Sequence, residues 1–216
     1  MTDKLSLPDT PSLATTAPDG RMFAPSAARN IGPICDVVAQ HAPDTGPALE
    51  IASGTGEHIA ALAQRLPGLL WQPSDPAPER RRSIDAHGAD LPNTRPAIPL
   101  DAAHPGWSAQ HPGQALILTV NLLHLISESA AKTLIAESAQ ALAPDGRFVL
   151  YGPFLRDGET TSDGDARFDA SLRAQDPQIG YKDDWDVIDW IHDNWLELVQ
   201  VIEMPSNNLC FVARKP

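Results

Sequence analysis

Two cysteines are all that the 216 residues hold, and Cys35 and Cys210 stand far apart among apolar neighbours. A chain of this length stabilises itself by burying a core, so the pair reads as two small core residues and not as a disulfide framework. The seven histidines show none of the His-x-x-x-His or Cys/His spacings of a zinc site, so no metal is expected. Long apolar runs are missing too: the longest are strand-sized, short of the roughly 20 residues of a membrane span. The opening MTDKLSLPDTPSLATTAPDG has neither the basic head nor the apolar block of a secretory signal. A cytosolic protein without membrane contact is expected. Positive charge is also scarce. Sixteen Lys and Arg face 28 Asp and Glu, for a net charge of −12 and a pI near 4.8. Nucleic-acid binders carry a basic stripe to neutralise phosphates, and the one basic cluster here, Arg80 to Arg82, reads as a solvated helix face. A nucleic-acid partner is disfavoured and a small-molecule substrate expected, with the protein a monomer or homodimer.

What is present is a regular alternation. Hydrophobic residues make up 42%, enough for a substantial core, and 21 prolines punctuate the connections. Residues 1–20, polar and rich in Pro, Thr, Ser and Asp, read as a flexible leader before a single domain over 21–216. Ile34, Val37 and Val38 mark a helix to about His41. Strand-like runs follow at Ala48–Ala52, Leu69–Trp71, Ala97–Leu100, Ala115–Val120 and Arg147–Tyr151. Between them lie helices over 57–66, from Asp75 and Pro76 to about Ala86, and from Glu128 to Leu142 with Ser127 as cap. Further helical segments surround Phe168–Leu172 and Trp185–Trp195, with Trp185 and Trp195 read as core aromatics. The closing runs Leu196–Glu203 and Leu209–Ala213, joined by MPSNN, read as a hairpin. Strands separated by helices imply a parallel, doubly wound sheet with helices on both faces; the hairpin adds an antiparallel edge, which distinguishes a methyltransferase sheet from a plain dinucleotide-binding one.

The strongest local signal is ALEIASGTGEH, residues 48–58. A strand feeds a small-residue turn, and the turn opens a helix whose first N–H groups are free for a ligand. Glu50, Ala52, Gly54 and Gly56 follow the acidic-x-Gly-x-Gly-x-Gly spacing of S-adenosylmethionine (SAM) binders, with Ala52 in the first glycine position. Ser53 and Thr55 complete the turn. The dinucleotide fingerprint G-x-G-x-x-G is not met, because Ile59 stands at its third glycine. Asp75, just past the second strand, occupies the place of a ribose-binding acid. Asp101 ends the third strand, where it can accept from an adenine amino group. Taken alone each acid is a cap or turn residue; three acidic strand ends in order read as a SAM site. After the fourth strand comes VNLLHLIS, residues 120–127, at the edge where open α/β sheets gather ligands. Asn121 and Leu122 fall beside the cofactor there. His124 stands either as a base or as a histidine tied up at a helix start. The Asn-Pro-Pro-Tyr signature of amide and base-amino methylation is absent.

The stretches APSAARNIGPI (24–34), LEIASGTGEH (49–58), WQPSD (71–75) and NLLHLI (121–126) carry a family resemblance. It continues through YGPFLRDGETTSDGDARFDASLRAQDPQIG (151–180) and EMPSNNL (203–209). Over nearly everything from Phe23 on, the chain resembles a family of methyltransferase-like proteins classified as a domain of unknown function and related to methyltransferase-like protein 26. The resemblance implies a class I SAM-dependent methyltransferase fold, Rossmann-like, with a seven-stranded, mostly parallel sheet. Ala52 is then the family's own form of the motif. It further implies an N-terminal helical lid presenting Arg29 and Asn30 to the cofactor, and an acceptor site. Arg156, Arg173, Asn207 and Asn208 would bind substrate there, with Tyr151 beside His124 at the reaction centre. Arginine grips carboxylates bidentately; against that, Arg173 and Asp169 form an ordinary i, i+4 helix pair. The expected activity is methyl transfer to a small molecule, with S-adenosylhomocysteine as product. Against it stand a non-catalytic SAM binder, a SAM-using enzyme that cyclises the cofactor or transfers another group, and a nicotinamide oxidoreductase.

Overall fold

The computed structural model describes residues 14–216. Most of the expected leader, residues 1–13, lies outside the described residues. The remainder is not a loose tail: β1 (Thr15–Thr16) pairs antiparallel with β2 (Met22–Phe23) around a tight turn. The long helix α1 (Pro25–His41) follows at once, with Pro25 in its first turn where the missing N–H costs nothing.

The main sheet alternates as its sequence period dictates. After β3 (Gly46–Ile51), α2 (Glu57–Arg65), β4 (Leu69–Pro73), α3 (Pro78–Gly88), β5 (Gln114–Val120) and α4 (Glu128–Ala141) comes the longest strand, β6 (Leu142–Pro153). The chain ends with α5 (Asp163–Gln175), α6 (Asp184–Asp193), β7 (Glu197–Met204) and β8 (Asn208–Arg214). Strand order is β4-β3-β5-β6-β8-β7. The first four are parallel, and β8 inserts antiparallel between β6 and β7. This is a class I methyltransferase sheet with its C-terminal hairpin. Ser206 and Asn207 take positive φ, 60° and 59°, to turn that hairpin within MPSNN.

The period-2 alternation of the strands sends side chains to two cores. Leu49, Ile51, Ile117, Phe148, Leu150 and Phe211 pack under α4 and α6 with Leu134, Ile135, Val187 and Ile191. Ala48, Leu116, Leu118, Val149, Tyr151 and Cys210 pack under α1, α2 and α3 with Ile34, Val38, Ile59, Leu62 and Ile84. Cys35 and Cys210 are both free and buried in the second core. No helix among the described residues is long and apolar enough to cross a membrane.

Three sequence expectations are corrected. The third strand at Ala97–Leu100 does not form. The chain runs beside β4 through isolated bridges, Trp71 with Thr94 and Ser74 with Ile98. Trp71 N–H donates to Asn93 O and Arg95 N–H to Trp71 O; then Pro73 and Pro96, which have no N–H, leave a gap before Ile98 N–H reaches Pro73 O. Six strands and this bridged segment therefore fill the seven expected positions. Asp75 does not cap α3, whose first residue is Pro78 and whose cap position is Ala77, without a side-chain bond. Trp185 and Trp195 are not core residues: they are 59% and 87% exposed, and Trp195 sits at φ 58° in the turn before β7.

Candidate functional site

At the carboxyl end of β3 the backbone turns sharply through Ala52 (φ 56°), Gly54 (φ 58°) and Gly56 (φ 94°), and Gly56 caps α2. Alternating left-handed residues fold the chain back on itself, and two of the three are glycine because that region penalises a Cβ. A Cβ on Gly54 would meet nothing nearer than Ala52 O at 4.0 Å, so open space lies over it; one on Gly56 would strike Ile84 Cα of α3 at 2.7 Å. The turn after β4 is stitched to this one. Ser53 N–H donates to Ser74 O at 2.8 Å, Ser74 N–H to Ser53 Oγ at 3.2 Å, and Ser74 Oγ–H to Glu50 O at 2.8 Å. Asp75 Oδ2 accepts the Gly54 N–H at 3.1 Å and its Oδ1 the Ala77 N–H at 2.9 Å. Two of the expected acids thus converge on one turn.

Their environments differ from open water. Glu50 is fully buried and its Oε2 has no partner. Burial pushes its carboxyl up to about 7, Ser53 pulls it partly back, and the Asp75 charge adds to the rise. Burial also raises Asp75, opposed by the Ala77 and Gly54 N–H groups and by Arg80 and Arg81. A carboxylate has about four lone-pair sites, so Asp75 keeps capacity beyond its two amide donors. Asp101 differs: it is exposed, accepting Ala103 N–H at 3.0 Å and pairing with His104 Nδ1 at 3.0 Å.

The N-terminal segment is fastened beside the glycine turn by residues that motif reading passed over. Glu57 Oε2 accepts the Ala24 N–H at 2.7 Å and the Thr55 hydroxyl at 2.9 Å. Ser83 Oγ accepts the Met22 N–H at 2.8 Å while donating to Thr55 O at 2.6 Å, and His87 Nε2 donates to Met22 O at 2.9 Å. These bonds cross up to 65 positions of sequence, where no local pattern points to them; only the acid directly after GTG hinted at Glu57. Of the expected lid residues on α1, Asn30 is buried and Arg29 exposed.

At the carboxyl end of β5, Asn121 takes φ 56° and donates its N–H to Tyr151 O at 2.8 Å. Leu122 packs against the α4/α6 core. His124 is buried, its ring 5.8 Å from Phe168 and 6.1 Å from Tyr181, with Nδ1 unpartnered. Burial and the Lys182 charge push it down to about 3, against a small opposing effect of Asp169, so the imidazole is neutral at ordinary pH. Tyr151 lies in the other core, under α1 and α2, and burial raises its hydroxyl to about 12. The ring neighbours of His124 are instead Phe168 and Tyr181.

The four expected acceptor ligands spend polar atoms on the protein itself. Arg156 Nη2 donates to Asn207 O at 3.1 Å. Asn207 Nδ2 donates to Asp165 Oδ2 at 2.9 Å and Asn208 Nδ2 to Pro205 O at 3.0 Å. Arg173 Nε donates to Asp169 Oδ2 at 2.8 Å and its Nη2 to Tyr181 O at 2.9 Å, while Asp169 Oδ1 accepts the Tyr181 N–H. The i, i+4 pair exists, and it clasps the backbone N–H and C=O of one residue, Tyr181. A cavity of about 470 Å³ opens beside it, lined by Arg173, Tyr181, Lys182, Asp183, Asp186 and Trp190 among others.

A family model described as "Protein of unknown function (DUF938)" matches residues 21–215. Among solved structures the chain is similar to an O-methyltransferase family protein from Burkholderia thailandensis, with TM-score 0.73, 16% identity, and coverage of 88% of this chain and 57% of that one. It is similar to human N-acetylserotonin methyltransferase in complex with SAM (TM-score 0.72, 12%, 88% and 52%). It is also similar to an O-methyltransferase family 2 protein from Planctomyces limnophilus in complex with apigenin (TM-score 0.70, 18%, 88% and 60%). The chain spans little more than half the length of these proteins, and at such identities the likeness is one of fold.

Proposed function

The chain belongs to the family of proteins of unknown function DUF938, whose fold here is that of class I methyltransferases, and we propose that it is a SAM-dependent methyltransferase acting in the cytosol on a small-molecule acceptor. The relation to methyltransferase-like protein 26 belongs to the same proposal. The observation that carries it is Glu50. A fully buried carboxyl with an unpartnered oxygen, at the end of the strand that feeds a left-handed glycine turn, costs about 1–3 kcal/mol until a donor reaches it. A ligand donor in that position recovers the cost, and the open space over Gly54 admits it.

In this reading Glu50, Ala52, Ser53, Gly54, Thr55, Gly56 and Asp75 hold SAM. Asp101, Asn121 and Leu122 border it, and Arg29 and Asn30 approach from α1. Bound SAM supplies a methyl group already activated on a sulfonium. The protein's task is then to hold an acceptor in line, an effect worth up to roughly 7–11 kcal/mol in well-oriented cases. His124 offers a neutral imidazole that can accept a proton; so depressed a base suits an acceptor whose proton is acidic or already lost. Tyr151, protonated throughout the physiological range, can donate a hydrogen bond but is not a base. The acidic surface favours a small molecule over nucleic acid.

One observation favours a second reading, a SAM-binding protein without turnover. Arg156, Arg173, Asn207 and Asn208 are all engaged by the chain's own groups and would have to exchange partners to grip an acceptor. Calorimetric titration with SAM, S-adenosylhomocysteine and NAD tests the central proposal: saturable binding of the first two and not of NAD is expected. Folded protein that binds no SAM would sink it. Tight SAM binding with no S-adenosylhomocysteine released across acceptor panels would select the second reading, and methylthioadenosine a different SAM chemistry.

A further inference from the structure

Lys182 is an ammonium placed where solvent hardly reaches, 8% exposed. Its Nζ donates to Ile126 O and to Gly180 O, both at 2.8 Å. Gly180 N–H in turn donates to His124 O at 3.0 Å, and Lys182 O accepts the Leu155 N–H at 3.0 Å. One residue thereby joins three connections at the carboxyl edge of the sheet: the segment after β5 that carries His124, the turn after β6, and the segment after α5. The segment 179–182 also supplies Tyr181, whose ring stands against His124 and whose peptide is clasped by Asp169 and Arg173 of α5.

Packing alone does not call for an amine here. Burying a lysine costs desolvation on top of side-chain entropy, and a methionine would fill similar space without the desolvation. What the ammonium adds is two charge-assisted bonds to carbonyls that no other side chain among the described residues meets, and a positive charge near the His124 ring. We propose that Lys182 is the positioning residue of the His124 loop, fixing it through the carbonyls of Ile126 and Gly180. The inference rests on the methyltransferase reading for the importance of His124, while the clamp itself is a property of the protein without ligand. The other charged groups facing this cluster are Asp169 and Arg173 of α5 and Glu128 of α4. Asp169 acts on His124 in the opposite sense to Lys182, so removing Lys182 leaves the carboxylate to raise the ring's basicity.

The test is nuclear magnetic resonance on ¹⁵N-histidine-labelled full chain, with His124→Gln assigning the ring. In Lys182→Met, exchange of the Gly180 amide is expected to quicken by about tenfold or more. The His124 protonation midpoint should rise, and SAM affinity by calorimetry should stay within about twofold of the parent. Lys182→Arg, which keeps charge and donors, should hold the midpoint down. A Lys182→Met protein with unchanged Gly180 exchange and unchanged His124 midpoint overturns the proposal, as does a midpoint that rises equally in both variants. Should Lys182→Met not fold, the arginine variant alone decides by whether the midpoint stays low. If the parent binds no SAM, the methyltransferase reading fails while these readouts still judge the clamp.

Discussion

At the scale of single residues, the site is governed by two conflicts between a side chain and its place. Glu50 is a carboxyl that burial resists ionising. Its folded-state value of about 7 lies above the ordinary 4.5, so between those values the folded protein binds more protons than the unfolded chain. Stability therefore falls as pH rises through that window, by about 3 kcal/mol in total, and Asp75, also raised, adds to the slope. Glu50→Gln removes the larger contribution. Urea midpoints at pH 5 and pH 8 should show the variant gaining on the parent only at the higher pH, while its SAM affinity drops. Equal midpoint differences at both pH values would mean that Glu50 is not protonated in the fold. The second conflict is Ala52, a non-glycine residue at φ 56°. Ala52→Gly relieves a left-handed cost of about 1 kcal/mol, less what its methyl contributes to the core beside it. Gly56→Ala is the contrast: φ 94° and the 2.7 Å approach to Ile84 Cα give a backbone clash with no soft partner. Thermal melting should place Gly56→Ala at least about 2 kcal/mol below the parent and Ala52→Gly at or slightly above it.

At the scale of elements, helix α5 stands apart from the others. It buries one residue fully, Leu172, where α4 buries seven. Its place over the carboxyl edge depends on polar fastenings: Ser162 capping it, Asp165 to Asn207, and the Asp169–Arg173 clasp on the Tyr181 peptide. An element so held opens locally at lower cost than the core. Arg173→Ala should speed amide exchange across 163–175 while costing only about 1 kcal/mol globally; a global loss without local loosening would show that the clasp supports the whole fold. Elements are also where the sequence was most legible. ALILTV, the Ser127-capped helix and the MPSNN hairpin carried period and punctuation strong enough to survive folding nearly unchanged. The lost strand at 97–100 had its reason in view, since Pro73 and Pro96 each delete a ladder donor; its apolar period alone did not register that a strand needs donors on both partners. Glu50 and Asp75 were legible as acids beside the turn because strand ends are local features. Glu57, Ser83, His87 and Lys182 were not, because their meaning lies in partners 28 to 65 residues away or on carbonyls that carry no side-chain signature.

At the scale of the whole molecule, charge is the property on which sequence and structure converge. With 28 acids and 16 Lys and Arg, at least 12 carboxylates have no cation to themselves at neutral pH. The described ion pairs are mostly exposed, such as Arg65–Asp36 at 3.6 Å and Lys132–Glu128 at 2.6 Å, and pairs of that kind contribute little. Crowding is visible along α6, where desolvation and the charges of Asp183, Glu128 and Asp189 all raise Asp186, opposed by Lys132. Repulsion summed over such a surface weakens the compact state. Raising ionic strength from about 0.01 M to about 0.15 M shortens the screening length from roughly 30 Å to roughly 8 Å. That span quenches repulsion between distant like charges while leaving contact pairs at 3–4 Å mostly intact. The melting temperature should therefore rise over that interval, by roughly 2–4 °C for each kcal/mol of repulsion relieved, and Asp186→Asn should raise the low-salt value and shrink the gain. A melting temperature that falls with salt would mean that the surface pairs outweigh the net charge, and that the acidic balance is compensated locally and not borne by the fold.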